Sequence, residues 1–280
     1  MAASRDPPFA VPEGEDAPLE FYTHSLCPYA HRVSLCLAEK AVPHHRVHID
    51  LSNKPAWYLK LNTRGLVPAI GLPGGEVLTE SIDLCYWLEE NFESSDGHPS
   101  LVPKDANKEA EMRRLINGFD GGFISAGLQY VGGGWGFSRG TPGATQTSRM
   151  TSEVVLLENI IAHNGGGPYL LGTEITLADV VLYPFAERFE LAIREFRGGG
   201  RELGEMTTTT NSEEEEEEEE KEGGDSSNAR RGLFGEWLRV MAERDSCKRL
   251  RPDDDALLAS WRRTMRLDYF DYETADIDNP

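Results

Sequence analysis

Hydrophobic and polar residues follow two different patterns along the chain. In the first third, four short apolar or alternating segments predict β-strands. They lie at 19–23 (LEFYT), 45–51 (HRVHIDL), 66–72 (LVPAIGL) and 75–79 (GEVLT). Two segments with helical spacing lie among them, and the first carries Val33, Cys36 and Leu37 at i, i+3 and i+4. A β-α-β half followed by a β-β-α half predicts a mixed four-stranded sheet with helices packed on it.

The rest of the chain has a helical pattern throughout. Five helices are predicted at 107–131, 149–164, 176–196, 232–246 and 255–272. The third has a clear start, because Thr176 and Asp179 have the spacing of a capping box. Ile175 and Val180 flank this start at the positions of a hydrophobic staple. These signals concern structure and carry no chemistry.

These patterns predict two domains with a short connection. We expect a disordered tail over 1–18, an α/β domain over 19–92, a linker over 93–104 and a helical domain over 105–280. Within the last, residues 206–229 hold eight consecutive glutamates and few apolar side chains, which predicts a disordered acidic insertion. A glycine-rich stretch at 132–148 joins two helices and lacks the spacing of a phosphate-binding loop.

The net charge of the chain limits the classes of partner that it can be expected to bind. The formal net charge is −20, which argues against nucleic acid or an anionic membrane as a partner. No apolar run approaches the length of about 20 residues that spans a bilayer. Residues 1–18 lack the apolar region of a signal peptide. We therefore expect a cytoplasmic protein.

The four cysteines are too sparse and irregular for a disulfide framework or a zinc site, and no metal site is predicted. Cys36 and Cys85 lie at helical core positions, whereas Cys247 lies near a polar helix end and is expected to be exposed. His44, His45 and His48 have no ligand-spaced partners and are interpreted as ordinary surface histidines.

Cys27 has a different context. It follows the first strand and precedes Pro28, a residue suited to the first turn of a helix. The positive end of that helix favours a thiolate, and His31 and Arg32 in the next turn would add positive potential. Position 30 is Ala30, so the site has no resolving cysteine and needs an external thiol, for which glutathione is the obvious candidate.

Two further motifs suit a thiol tripeptide. Pro68 stands at the start of a strand, where a cis Val67–Pro68 bond would leave the Val67 backbone able to pair with an extended peptide. Glu80 and Ser81 stand at a predicted helix start, where they could bind an ammonium and a carboxylate.

With these motifs in this order, the chain resembles the cytosolic glutathione transferase superfamily, most closely the omega class and its cysteine-type relatives, including the lambda class and dehydroascorbate reductases. Cys27-Pro28-Tyr29-Ala30 is similar to the active-site motif of the family. Residues 51–57 (LSNKPAW) resemble the segment that supplies a glutathione-binding lysine, and residues 62–68 (NTRGLVP) resemble the segment that ends in a cis-proline.

The resemblance implies a thioredoxin-like N-terminal domain and an all-helical C-terminal domain. It also implies glutathione as co-substrate, Cys27 as nucleophile and a homodimer. The implied glutathione-binding residues are Tyr29, Leu51, Lys54, Val67, Pro68, Glu80 and Ser81. The predicted activity is thiol transfer to a disulfide or to an acceptor such as dehydroascorbate.

Alternatives remain open at this point. Tyr22 and Ser25 are rival activating hydroxyls, since other classes of the family use tyrosine or serine. The chain could instead conjugate glutathione to electrophiles. It could also be a non-enzymatic ligand-binding or scaffold protein, with the acidic insertion as a docking surface.

Overall fold

The computed structural model describes residues 19–132, 142–196, 203–206 and 232–269, with side chains to residue 263. The predicted tail, most of the acidic insertion and residues 133–141 of the glycine-rich stretch lie outside the described residues. The described chain divides into two compact units. The first contains the residues up to Glu109 together with Asp245–Pro252, and the second contains Ala110–Arg244 and the residues from Asp253.

The first unit is built around the predicted sheet. Its elements are β1 (Leu19–Thr23), α1 (Pro28–Glu39), β2 (His44–His48), α2 (Ala56–Leu61), β3 (Ala69–Gly71), β4 (Val77–Thr79) and α3 (Ser81–Asn91), followed by a 3₁₀ turn at Ser94–Asp96. The strand order is β2-β1-β3-β4. β1 runs parallel to β2, whereas β3 is antiparallel to both β1 and β4. The predicted mixed four-stranded sheet is confirmed.

Burial follows the sequence pattern. All five residues of β1 are buried, as expected of a central strand covered on both faces. In the second strand Arg46 and His48 are exposed and Ile49, just beyond it, is buried, so the predicted alternation is confirmed. Cys36 and Cys85 are also buried, as predicted for core positions.

A buried ion pair between Lys40 and Glu89 holds the segment that follows α3 in place. Lys40 Nζ lies 3.0 Å from Glu89 Oε1 and donates a hydrogen bond of 3.0 Å to the carbonyl of Pro99. The Leu101 backbone N–H donates to the same Glu89 oxygen at 3.2 Å. A buried charge needs a partner of this kind. The predicted linker is therefore held against the end of α1.

The second unit is helical, as predicted. Its elements begin with α4 (Ala106–Phe119), a π-helical turn (Asp120–Ile124), α5 (Ser125–Gly132), α6 (Ala144–His163) and α7 (Leu177–Phe196). A 3₁₀ turn (Leu203–Glu205), α8 (Leu233–Glu243), α9 (Asp245–Leu250) and α10 (Asp254–Tyr269) follow. Of these, α9 belongs to the first unit. Among the described residues, no helix is both long and apolar enough to cross a membrane.

Two details of the helical region differ from expectation. The helix predicted over 107–131 is interrupted at Gly122, which has φ −91° and ψ −108°. Glycine permits this break, and a Cβ there would lie 2.9 Å from Glu153 Oε2. The exposure predicted for Cys247 is wrong: it is 2% exposed, because α9 packs on α1 in the first unit.

Candidate functional site

Cys27 is the N-cap of α1. Its backbone is extended, with φ −77° and ψ 118°, and Pro28 occupies the first turn, as predicted. The Cys27 side chain makes no capping hydrogen bond to this helix. The Sγ lies 3.7 Å from the Val67 carbonyl oxygen, to which the thiol donates. The half-buried sulfur therefore lies between the positive end of a helix and the backbone before β3.

Arg32 joins α1 to the start of α3. Its side chain is 0% exposed, and its Nη1 donates to Ser81 Oγ at 3.2 Å. The guanidinium carbon also lies 5.2 Å from the centroid of the Tyr29 ring, within cation–π range. His31 is buried one position earlier. Arg32 thus connects two predicted site residues, which is a role that the sequence alone did not indicate.

The Val67–Pro68 peptide bond is cis, as the sequence predicted. Val67 lies two residues before β3 and belongs to a buried cluster with Tyr22, Tyr58 and Ala69. Cys27 and Leu51 pack against this cluster from positions of partial exposure. The structure therefore brings three of the predicted site residues to one apolar patch.

Glu80 and Ser81 occupy the start of α3. Glu80 is the N-cap with φ 70° and ψ 115°, a conformation that is costly for a residue with a side chain, by about 1–3 kcal/mol. Its exposed carboxylate pairs with Arg64 and does not cap the helix. Ser81 is buried. At both α3 and α1, therefore, the side chain of the N-cap residue makes no capping hydrogen bond.

Leu51 and Lys54 lie on the loop between β2 and α2. Asp50 shapes this loop by accepting three hydrogen bonds on one carboxylate oxygen, from the Ser52 N–H, the Ser52 hydroxyl and the Asn53 N–H. These bonds, the one from the Ser52 side chain first, lower the pKa of Asp50. The half-buried Lys54 side chain crosses Gly65, where a Cβ would lie 2.9 Å from Lys54 Cδ.

The predicted site residues, from Cys27 to Ser81, thus all lie in the first unit. Two residues to which the sequence analysis gave no role of their own, Tyr58 and Asn62, hold the loop before Val67. Both donate to the carbonyl of Leu66, from Tyr58 Oη at 2.5 Å and from Asn62 Nδ2 at 2.9 Å. Their signal in the sequence is weak, because a buried tyrosine and a buried asparagine are recognisable only once their partner is known.

The hydroxyls of Tyr22 and Ser25, the alternative activating groups, are less suitably placed than the Cys27 thiol. Tyr22 is buried in β1, and burial first, then the nearby Glu20 carboxylate, raises the pKa of Tyr22 to about 12. A phenol with that pKa stays protonated at neutral pH and cannot act as a general base there. Ser25 is exposed in the turn before Cys27 and does not begin the helix.

The predicted surface histidines make ordinary contacts. His45 Nδ1 lies 3.0 Å from Glu20 Oε1, and the His24 and His48 rings lie 4.9 Å apart. Burial first, then His48, lowers the pKa of His24. Within the described part of the chain, His, Cys, Asp and Glu side chains form no group of three or more that could hold a metal ion.

Comparisons of the sequence with known proteins identify its family. A family model described as the N-terminal domain of glutathione S-transferase matches residues 26–91, and one for the C-terminal domain matches residues 154–211. The chain is 32% identical to glutathione S-transferase L3 from Arabidopsis thaliana over 199 residues, covering 70% of this chain and 75% of that protein. It is also 32% identical to pyrimidodiazepine synthase from Drosophila melanogaster over 180 residues, covering 63% of this chain and 67% of that protein.

A solved structure shows the same fold. Glutathione transferase Omega 3C from Trametes versicolor superposes with a TM-score of 0.68 at 22% identity, over 91% of this chain and 94% of that one. The superposition covers both the sheet-containing and the helical parts of the fold.

Proposed function

Because the chain belongs to the glutathione transferase superfamily, we propose that it is a cysteine-type member that transfers thiols with Cys27 as nucleophile. One observation carries this proposal. Cys27, the N-cap of α1, is partly exposed beside the Val67 carbonyl, whereas Cys36, Cys85 and Cys247 are buried. A reactive thiol needs this combination of access and positive potential.

The neighbouring residues suit the three parts of glutathione. The Val67 backbone pairs with the central cysteine in the manner of an added strand. Glu80 binds the ammonium of the γ-glutamyl group, and the start of α3, with the Ser81 hydroxyl, binds its carboxylate. Lys54 binds the glycine carboxylate. Tyr29, Leu51 and Pro68 supply the walls around the sulfur.

The reaction proceeds through two thiol–disulfide exchanges. The Cys27 thiolate attacks the glutathione sulfur of a mixed disulfide, RS–SG, forming a Cys27–glutathione disulfide and releasing RS⁻, which takes up a proton. The thiolate of a second glutathione then attacks the glutathione sulfur of the adduct. Glutathione disulfide leaves and the Cys27 thiolate returns. Since position 30 is Ala30, no thiol there competes with the second glutathione.

Dehydroascorbate is a second acceptor of the same chemistry. Two glutathione molecules then supply the two electrons and two protons, and the products are ascorbate and glutathione disulfide. Thiol transfer and this reduction share the Cys27–glutathione adduct, so one variant tests both.

The experiment compares wild type with Cys27→Ser in the glutathione-dependent reduction of a small glutathione mixed disulfide. Cys247→Ala is the matched control, because it removes a buried thiol distant in sequence from the site. We expect turnover in wild type and in the control, none in Cys27→Ser, and binding of glutathione in all three. Equal turnover in Cys27→Ser and wild type would refute the proposal.

A further inference from the structure

The carbonyl of Leu66 is held by two buried donors. Tyr58 is 0% exposed and its hydroxyl donates to Leu66 O at 2.5 Å. Asn62 is 7% exposed and its Nδ2 donates to the same oxygen at 2.9 Å. The Leu66 side chain, in contrast, is 48% exposed. A carbonyl on a surface loop could be satisfied by water, yet here both of its lone pairs are engaged by groups of the interior.

Asn62 also fixes the loop at two other points. Its Oδ1 accepts from the Arg64 N–H at 3.2 Å, and its backbone carbonyl accepts from the Gly65 N–H at 2.8 Å. Its Nδ2 lies 3.4 Å from the Tyr58 hydroxyl, so the two donors also contact each other. Burial raises the pKa of Tyr58, which keeps its hydroxyl protonated and able to donate. The turn from Asn62 to Leu66 is therefore held from the side of α2.

The planarity of the peptide bond carries this constraint to Val67. The cis bonds of the described chain are Val67–Pro68 and Gly167–Pro168, so the Leu66–Val67 bond is trans. In a planar trans peptide the C=O and the next N–H point in opposite directions. Holding the Leu66 carbonyl toward α2 therefore directs the Val67 N–H away from α2.

We propose that Tyr58 and Asn62 are positioning residues that aim the Val67 N–H at the backbone of bound glutathione. The inference rests on the proposed function, because it takes glutathione as the ligand of that N–H. Both act through the Leu66 carbonyl and neither touches the reacting sulfur. Their effect falls on the binding of glutathione rather than on the reactivity of Cys27.

The experiment measures the affinity for S-methylglutathione, a probe that cannot form a disulfide, in wild type, Tyr58→Phe and Asn62→Ala. Loss of one hydrogen bond to the Leu66 carbonyl should raise the dissociation constant about 3- to 10-fold. KM for glutathione should rise by the same factor, with kcat within about twofold of wild type. The rate at which iodoacetamide alkylates Cys27 should not change.

Ile49→Val is the control for a general loss of packing in the buried cluster that contains Tyr58. Ile49 is buried in the same cluster as Tyr58, and this substitution costs about 0.5–1.5 kcal/mol of stability without touching the Leu66 carbonyl. It should lower the melting temperature and leave the affinity unchanged. Tyr58→Phe is the informative variant if Asn62→Ala does not fold.

Three results would overturn the inference. Unchanged affinity in Tyr58→Phe would show that the Leu66 carbonyl does not control Val67. An equal loss in Ile49→Val would show that any loosening of the cluster has this effect. In both cases wild type still binds the probe and the proposed function stands. If wild type itself fails to bind S-methylglutathione, the inference falls together with the proposed glutathione site.

Discussion

The start of α7 in the second unit is finished differently from the starts of α1 and α3 in the first unit. At α7, the Asp179 carboxylate is buried and accepts four hydrogen bonds, each of 2.8 or 2.9 Å. The donors are the Leu170 N–H, the N–H and hydroxyl of Thr176, and the indole of Trp237. At α1 and α3, the N-cap residues Cys27 and Glu80 make no side-chain cap at all.

At α1 and α3, the N-cap residues that make no side-chain cap are residues of the proposed site. At α7 the Asp179 carboxylate accepts from the N–H of Thr176, which is one half of a capping box, and a cap of this kind contributes roughly 1 kcal/mol to stability. An N-cap side chain that makes no such bond forgoes that stability and leaves room for an anion at the positive end of the helix. The strained backbone of Glu80 is a second cost at the same place. Both costs fall where glutathione is proposed to bind.

Cys27→Ser should give the largest effect and should separate function from stability. We expect mixed-disulfide turnover to fall on the order of 10³-fold or more, as is usual when a nucleophile is removed. Serine is also a preferred N-cap, so the variant should be no less stable than wild type and could gain up to about 1 kcal/mol. Turnover and urea unfolding on the same samples test this. A large loss of stability would contradict the view that Cys27 is retained for chemistry.

Asp179→Ala should give the opposite result at the capped start. It leaves buried donors of Leu170, Thr176 and Trp237 without their acceptor, each at a cost of about 1–3 kcal/mol. We expect at least about 3 kcal/mol of lost stability in urea unfolding. Glu80→Ala is the matched control from the start of α3, and its stability should lie within about 0.5 kcal/mol of wild type. Similar losses in both variants would remove the distinction between the two kinds of helix start.

Glu80→Gln should weaken binding of glutathione while leaving the fold intact. The ammonium of the γ-glutamyl group loses a charged partner, which should raise KM for glutathione about tenfold or more. Glu76→Gln, the same substitution in the exposed turn between β3 and β4, should have no such effect. N-acetylated S-methylglutathione lacks the ammonium, so its affinity should be the same for wild type and Glu80→Gln. A tenfold difference with that probe would show that Glu80 acts in another way.

The stability of the protein should also depend on pH through the buried Asp179 carboxyl at the start of α7. Burial raises the pKa of Asp179 above its ordinary value of 3.8, and its hydrogen bonds offset only part of this. The folded state therefore holds this proton more tightly than the unfolded state does. The contribution of Asp179 to stability is greatest below pH 3.8 and falls as pH rises through the raised pKa.

Comparison of wild type with Asp179→Asn isolates this effect, because the other titrating groups are common to both. The stability of wild type relative to the variant should increase when urea unfolding is repeated at pH 4.5 instead of pH 7. A relative stability that falls over this interval would mean that the four hydrogen bonds outweigh the burial.

The sequence predicted the features that depend on local pattern. The limits of β1, the start of α1 after Cys27 and the spacing of Thr176 and Asp179 are all properties of a few adjacent residues. The motif around the cis Val67–Pro68 bond is equally local. Strand alternation and helical spacing then determined which faces are buried.

Features that depend on distant contacts were not predicted. Cys247 looked exposed because the pattern of its own helix is polar, and only the packing of α9 on α1 buries it. The bond from Arg32 to Ser81 joins residues 49 positions apart. Tyr58 lies on α2, a helix of six residues that is too short to show a period. The sequence therefore indicated the proposed site residues better than the groups that hold them in place.

Arg64→Ala should give the smallest effect of these variants. It tests whether the ion pair between Arg64 and Glu80 opposes glutathione binding at the start of α3. Arg64 pairs with Glu80, and both side chains are more than half exposed, so the pair contributes little to stability. In the proposed complex, Arg64 competes with the glutathione ammonium for the Glu80 carboxylate. Its removal should therefore lower KM for glutathione, by at most about threefold, and the difference should shrink at high salt.

Arg46→Ala removes the same charge from an exposed position on β2. It controls for the effect that losing one positive charge has on the electrostatic potential of the first unit. If KM rises in Arg64→Ala and not in Arg46→Ala, Arg64 contributes to glutathione binding instead of competing with it. Glu80 and Arg64 would then both hold the γ-glutamyl group, one through its ammonium and the other through its carboxylate. The start of α3 would in that case recognise both charges of its ligand with side chains, as well as with the positive end of the helix.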